Sequence, residues 1–163
     1  MIENNPYQAV IAAPFGCCIG IAMTGGAVSA LDYLPADTPE QPPVDEATAG
    51  VVNQLAAYFA DAGNPLTAPV MLAGTKFQHQ VWEALQAIPP GTVLTYGDLA
   101  RQLGTAARAI GNACRSNPVP ILVPCHRVVA RQGLGGYAGA VTGDPLAIKR
   151  WLLRHEGVAV DNG

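Results

Sequence analysis

The sequence predicts an α+β protein: a small antiparallel β-sheet with one covering helix over residues 1–73, then a helical unit containing a helix-turn-helix over residues 74–163. Three observations carry this reading. Short half-polar runs rich in β-branched and aromatic residues, separated by Gly and Pro, fill the N-terminal stretch. From Thr75 onward the apolar residues recur at helical spacing behind legible caps. At 163 residues, half of them hydrophobic, the chain is long enough for one domain or two small ones sharing an interface.

In chain order, YQAVIAAPFG, CCIGIAMT and AVSALDYL read as three short half-buried strands, and Gly25-Gly26 between the last two is a two-residue hairpin signal, so the three form a meander. The Pro-rich LPADTPEQPP is a loop. Beyond it Val51, Val52, Leu55, Tyr58 and Phe59 keep helical spacing until Gly63, giving the helix that covers the sheet. NPLTAPVMLAG reads as a linker or edge strand. Thr75-Lys76-Phe77-Gln78 fits a capping box ahead of Phe77, Val81, Trp82 and Leu85, and Pro89-Pro90-Gly91 ends that helix. Thr95 caps a helix from Tyr96 to about Leu103, Gly104 makes a tight turn, and Thr105 caps a second helix from Ala106 to about Ser116, which is the helix-turn-helix pattern. Asp144-Pro145 opens a last helix that buries Ile148, Trp151 and Leu152 and closes at Gly157.

Composition narrows the class. Cys17 and Cys18 are adjacent, Cys114 and Cys125 lie far apart, and no C-x-x-C or His-rich spacing accompanies them. That argues against a disulfide framework or zinc finger and for a reducing cytoplasm. The uncharged stretch 4–31 is broken by Pro14, Gly16, Gly25 and Gly26, so it reads as strands rather than a signal or membrane segment. The net charge of −3 hides an asymmetry: residues 1–75 carry seven acidic and no basic residues, whereas residues 76–163 carry all nine basic residues and five acidic ones. Such a split points to an anionic partner on one side only.

A rotation of about 100° per residue puts Arg108, Asn112 and Arg115 on one stripe of the second helix of the pair, and Ala107, Ile110 and Cys114 opposite. The remaining outer residues are Ala and Gly, so this helix can approach a polyanion closely. Arg108 near its start and Glu156 at the end of the last helix both oppose the helix dipole, at a cost of about 0.3–1 kcal/mol each, and both ask for a partner. In NPVPILVPCHRVV, Cys125 sits among Ile121, Leu122, Val123, Val128 and Val129, surroundings that suppress a thiolate. His126 can take the thiol proton and Glu156 can orient the imidazole, provided the chain bends after Pro124 or a water bridges the two, since neighbours on a strand face opposite ways. Each residue alone has a plainer reading: a core cysteine, a solvated arginine, a glutamate beside Arg154.

PCHRVV, taken with the helix-turn-helix, resembles the O6-alkylguanine-DNA alkyltransferases. The similarity runs through GTKFQHQVWEAL, TYGDLA, AARAIGNACRSNPVPILVPCHRVV, GYAG and WLLRHEG, nearly all of residues 74–157; the first 70 residues agree only in outline, through the APFG turn. The resemblance implies a ribonuclease H-like N-terminal unit and a winged-helix-like C-terminal unit. It implies direct-reversal DNA repair: irreversible, once-only transfer of the alkyl group of O6-alkylguanine to Cys125, after the base is flipped from a duplex held through its minor groove. Within that resemblance His126 is the base, acting through a water, and Glu156 orients it. Tyr96 meets the guanine and helps rotate its 3′ phosphate, Asn117 is the hinge between recognition helix and site, and Arg108 fills the vacated stack. Backbone groups of Cys125, Val128 and Ala138 read the guanine edge, Pro120 packs on the base or its alkyl group, and Tyr137 adjoins them in GYAG. Thr95, Ala107, Asn112 and Arg115 join Tyr96 and Arg108 against DNA. Ala138 stands where some relatives carry Ser, which implies a changed rate rather than a lost activity. No metal or organic cofactor enters the scheme. The implied partner is double-stranded DNA containing O6-alkylguanine, bound by a monomeric cytoplasmic protein with no membrane association; cooperative binding along DNA and action on O4-alkylthymine stay open. Two other readings stand beside this one, a non-catalytic lesion-binding or regulatory DNA-binding module and a cysteine peptidase. A zinc-linked N-terminal domain finds no ligand set in residues 1–75.

Overall fold

The computed structural model describes residues 5–136 and 145–160. Strands β1 (Ala9–Ala12), β2 (Cys18–Thr24) and β3 (Ala27–Leu34) form an antiparallel sheet in that order. Ala9, Ile19, Ile21, Val28, Leu31 and Tyr33 are among its buried residues. The two-residue turn closes because Gly25 and Gly26 take φ of 57° and 82°, both left-handed, as a hairpin matched to strand twist requires. The outer edge of β3 is covered rather than left open. Val28 exchanges hydrogen bonds with Pro69 and Met71 (2.8 and 2.9 Å), so the linker is an edge bridge, and the Leu31 N–H donates to the Pro118 carbonyl (2.9 Å). That last bond seats the loop leading to Cys125 on the sheet.

Helix α1 (Glu46–Ala60) starts at Asp45, whose side chain accepts from the Thr48 N–H, and buries Thr48, Val51, Leu55 and Tyr58. Helix α2 (Lys76–Gln86) has the full Thr75/Gln78 capping box, and its Trp82 indole N–H donates to the Ala113 carbonyl (2.9 Å). Helix α3 (Tyr96–Leu103) has a second capping box, Thr95 with Asp98, and stops at Gly104, φ 67°. Gly104 and Thr105 return their N–H groups to the Arg101 and Ala100 carbonyls, a Schellman closure. The expected Thr105 cap is therefore corrected: Thr105 closes α3, and α4 (Ala107–Arg115) starts one residue later than expected, with Ala106 at its N-cap and no side-chain cap. The buried stripe of α4 is Ile110, Ala113 and Cys114; Ala107, its first residue, projects past that stripe and is exposed, contrary to the expected placement.

Strands β4 (Leu94–Thr95) and β5 (Val128–Val129) pair in parallel, tying the start of α3 to the segment that follows Cys125. Helix α5 (Pro145–His155) has Pro at its first position as expected; Asp144 lies outside the described residues. It closes at Gly157 (φ 88°), where Gly157 and Val158 donate back to Arg154 and Leu153. Its buried residues are Ile148, Lys149, Leu152 and Leu153. Trp151 is only half-buried; it stacks on His155 (centroids 4.6 Å apart) and meets Phe15 and Phe59 edge-on across the boundary with the N-terminal half. One continuous buried cluster runs from Ala9 to Leu152.

Candidate active site

Asn117 organises the loop before Cys125: its amide nitrogen donates to the Val123 carbonyl (2.8 Å) and its amide oxygen accepts from the Val119 N–H (2.9 Å). Within this staple Ile121 has φ 75°, a left-handed conformation rare for a β-branched residue, and the chain reverses so that Pro120 bridges to Val123. Pro124 then leads into one turn of 3₁₀ helix, Cys125–Arg127. The required bend is thus present. Three residues of such a turn fan out around its axis instead of alternating, and all three side chains are buried.

What they are buried with is Glu156. Its carboxylate accepts from His126 Nε2 (2.9 Å), from Arg127 Nε and Nη2 (2.9 and 2.8 Å), and from the Tyr58 hydroxyl (2.5 Å). Arg127 donates a further N–H to the Ile88 carbonyl (2.5 Å). Glu156 therefore finds its compensating partner in Arg127, not in Arg154, which reaches the Val160 carbonyl (3.3 Å). Burial pushes the Glu156 carboxyl up, but the hydrogen bonds from His126, Arg127 and Tyr58 outweigh it and hold the group well below the usual carboxylate range. An ionised carboxylate can only accept, so Nε2 of His126 carries the proton and Nδ1 keeps its lone pair. That Nδ1 is buried and bonded to no described protein group. Burial lowers the His126 pKa in spite of Glu156, and raises that of Cys125 against the opposing Asn117 amide and Lys149 ammonium. Thiol and imidazole both rest neutral, the state from which a proton moves only as the sulfur reacts.

Beside Cys125 opens a pocket of about 480 Å³, lined by Tyr96 from α3, by Ala107, Arg108, Cys114 and Arg115 from α4, and by Cys125. The Tyr96 ring lies so close to Gly135 (φ 74°) that a Cβ there would fall 2.8 Å from it. Burial, then the nearby Cys114 and Cys125, push the Tyr96 pKa up to about 12, so it stays a phenol. Lys149 is fully buried and its ammonium donates to the carbonyls of Val128, Leu134 and Gly136 (2.7, 2.5 and 2.9 Å). Its desolvation lowers its pKa to about 8.

Cys125, His126, Glu156 and Asn117 are thus brought together, and Tyr96, Arg108, Ala107 and Arg115 share the adjoining pocket. Pro120 is buried and does not line that pocket. The Thr95 hydroxyl accepts from the Asp98 N–H in the α3 cap, Asn112 accepts from Arg115, and the Val128 carbonyl already accepts from Lys149. Cys114, read as inert core, lines the pocket, although burial and the neighbouring Cys125 push its pKa up to about 12. Tyr137 and Ala138 lie outside the described residues. Three participants were missed. Arg127 carried a signal, since an arginine inside the apolar run VPCHRVV needs a buried carboxylate; Lys149 sits on the apolar face of α5, and Tyr58 looked like ordinary core. Among the described residues no group of three or more His, Cys, Asp or Glu is placed to hold a metal ion, and no helix is long and apolar enough to cross a membrane.

Comparison with known proteins agrees with this architecture. The family profile described as 6-O-methylguanine DNA methyltransferase, DNA binding domain, matches residues 76–158. A methylated-DNA--protein-cysteine methyltransferase of Salmonella typhimurium is 53% identical over 114 residues, covering 66% of this chain and 63% of that protein. The namesake from Archaeoglobus fulgidus is 40% identical over 106 residues, 64% of this chain and 72% of the relative. Among solved structures, Mycobacterium tuberculosis O6-methylguanine methyltransferase superposes with a TM-score of 0.73 at 36% identity over 90% of both chains. The M. tuberculosis OGT in complex with DNA gives 0.73 at 39% identity over 91% of both. Fold and site together define a protein of the alkyltransferase fold, with a helix-turn-helix joined to a buried Cys-His-Glu array. The chain belongs to the 6-O-methylguanine DNA methyltransferase family. The matched segment spans a little under two thirds of the length of the Salmonella relative.

Proposed function

We propose that this chain repairs double-stranded DNA by moving the alkyl group of O6-alkylguanine onto Cys125, once per molecule. The observation that carries the reading is the pocket itself: the exposed face of α4, with Arg108, and Cys125 line one cavity, and His126, next in the chain, has an Nδ1 with no partner among the described residues. α4 lies on the minor groove, the target base is extruded at a cost of a few kcal/mol, and Arg108 occupies the space it leaves. The Cys125 proton passes through a bridging water to His126 Nδ1, while Glu156 stabilises the imidazolium through Nε2. The sulfur attacks the alkyl carbon in line, an S–C bond forms and the C–O6 bond breaks; the Tyr96 phenol donates a hydrogen bond to the departing guanine, which takes up one proton from water as His126 returns the one it received from Cys125. A thioether does not leave at neutral pH, so each protein acts once. The names of the relatives and the DNA complex of one neighbour support this reading. The test is incubation with a duplex holding one O6-methylguanine, followed by mass spectrometry of the tryptic peptides. One methyl on the Cys125 peptide is expected; an unmodified protein, or methyl groups spread over all four cysteines, overturns it.

A further inference from the structure

Among the described residues, the one hydrogen bond to the Glu156 carboxylate that originates in the N-terminal half comes from α1, ninety-eight residues away in sequence, and lies outside the segment matched by the family profile. We propose that Tyr58 is a positioning residue for the reaction: its hydroxyl fixes the carboxylate of Glu156, and through it the orientation and tautomer of His126. The proposal rests on the repair reading only for the identity of the substrate.

The geometry is specific. Oε2 of Glu156 is the atom that takes the Tyr58 hydroxyl (2.5 Å), His126 Nε2 (2.9 Å) and Arg127 Nη2 (2.8 Å), while Oε1 takes Arg127 Nε (2.9 Å). Arg127 alone would hold the carboxylate in its fork and fix it within the plane of the pair, but two parallel bonds still let it tip out of that plane. The tyrosine supplies a contact from outside that fork. Tyr58 is itself immobilised, since it is buried on α1, its ring meets His155 edge-on with centroids 5.2 Å apart, and its own carbonyl bonds His155 Nε2 (2.5 Å). Neighbouring Phe59 packs against Phe15 and Trp151 and holds α1 to α5. The sheet-and-helix half of the molecule thus reaches the proton relay through the Tyr58 hydroxyl.

Groups that face the thiol and imidazole besides Glu156 and Tyr58 are Arg127, Lys149, Cys114 and Tyr96. None of them replaces the lost contact: Lys149 is committed to three carbonyls, and Arg127 already donates twice to the same carboxylate. Misplacing a proton acceptor by about an ångström can cost about a hundredfold in rate.

Tyr58→Phe removes the hydroxyl and keeps the ring. Alkylation of Cys125 by iodoacetamide is followed across pH by mass spectrometry, and the His126 tautomer is read from ¹⁵N chemical shifts; Phe59→Leu, which thins the same interface without touching Glu156, serves as the stability control. Tyr58→Phe is expected to slow Cys125 alkylation about tenfold or more near neutral pH, shift its pH profile to higher pH, and admit the Nδ1–H form of His126. Phe59→Leu is expected to lower the melting temperature and leave profile and tautomer unchanged. An unaltered profile and tautomer in Tyr58→Phe, or losses in both variants that simply track melting temperature, overturn the proposal. A wild-type protein that ignores methylated DNA removes the repair reading alone, because the iodoacetamide comparison still decides the role of Tyr58.

Discussion

Replacing Glu156 with Gln tests the relay at its anchor. The carboxylate receives four hydrogen bonds in a site where Glu156 is 8% and Arg127 is 7% exposed. A glutamine there would retain one accepting oxygen and turn an NH₂ group toward donors, leaving the Arg127 guanidinium buried without its counter-ion. Removing one partner of a buried pair costs about 3–5 kcal/mol, because the other charge stays desolvated. In a chain of this size each kcal/mol lowers the melting temperature by about 2–4 °C, so a fall of about 6–20 °C is expected. The rate should fall as well. Once His126 has taken the thiol proton it is an imidazolium with no anion behind it, and loss of positioned acid–base assistance is worth about 10²–10⁴-fold. Urea denaturation gives the first quantity; single-turnover transfer from free O6-benzylguanine, at a temperature where both proteins are folded, gives the second. A loss below about 1 kcal/mol, the scale of an exposed ion pair, would refute the buried-pair account. A stability loss with an unchanged transfer rate would refute the relay while leaving the fold intact.

Acidification should lower the stability of the protein over two pH ranges. An unfolded histidine takes up a proton near pH 6.5 whereas buried His126 resists it, so the unfolded state binds more protons and stability declines as the pH drops below about 6.5. An unfolded glutamate protonates near pH 4.3, whereas Glu156 stays ionised to lower pH; its contribution is present above that value and is lost as the pH falls toward the lower pKa of the folded carboxyl. Urea midpoints measured from pH 8 to 3 check this, with Glu156→Gln flattening the lower range; a midpoint constant between pH 8 and 5 contradicts it. Arg108→Ala, at an exposed residue on the pocket rim, should slow repair in a duplex about tenfold, which is ~1.4 kcal/mol of the few-kcal/mol extrusion cost, and leave transfer from free O6-benzylguanine within about twofold. Parallel losses on both substrates would remove the stack-filling role.

The parts of this fold that were legible in the sequence are those set by near neighbours. Gly25-Gly26 needs left-handed backbone and took it, and Thr75 with Gln78 and Thr95 with Asp98 close boxes three residues wide. Thr105 misled because two local motifs competed for it: it could cap α4 or close α3, and a glycine at 104 in the left-handed region commits the next N–H to the Schellman bond. More of the site was legible than its adjacent pair, since Glu156 stood out by opposing the dipole at the end of its helix. Cys125 and His126 announce themselves by adjacency, but the burial that sets their protonation, and the Tyr58 hydroxyl that reaches Glu156 from α1, are products of the tertiary fold. Nothing in the spacing of a helical stripe distinguishes Tyr58, whose hydroxyl meets a carboxylate, from a ring that only fills space. Arg127 was different in kind. Its cost could be read without any tertiary information, since a guanidinium embedded in VPCHRVV has to be neutralised somewhere, and Glu156 is one of only five acidic residues after position 75. That cost calls for a carboxylate without saying which one; the structure supplies Glu156. The balance that matters most for the chemistry lies at His126: Glu156 orients the imidazole through Nε2 and favours its charged form, but burial outweighs that pull, so the imidazole rests neutral with its Nδ1 lone pair able to receive a proton.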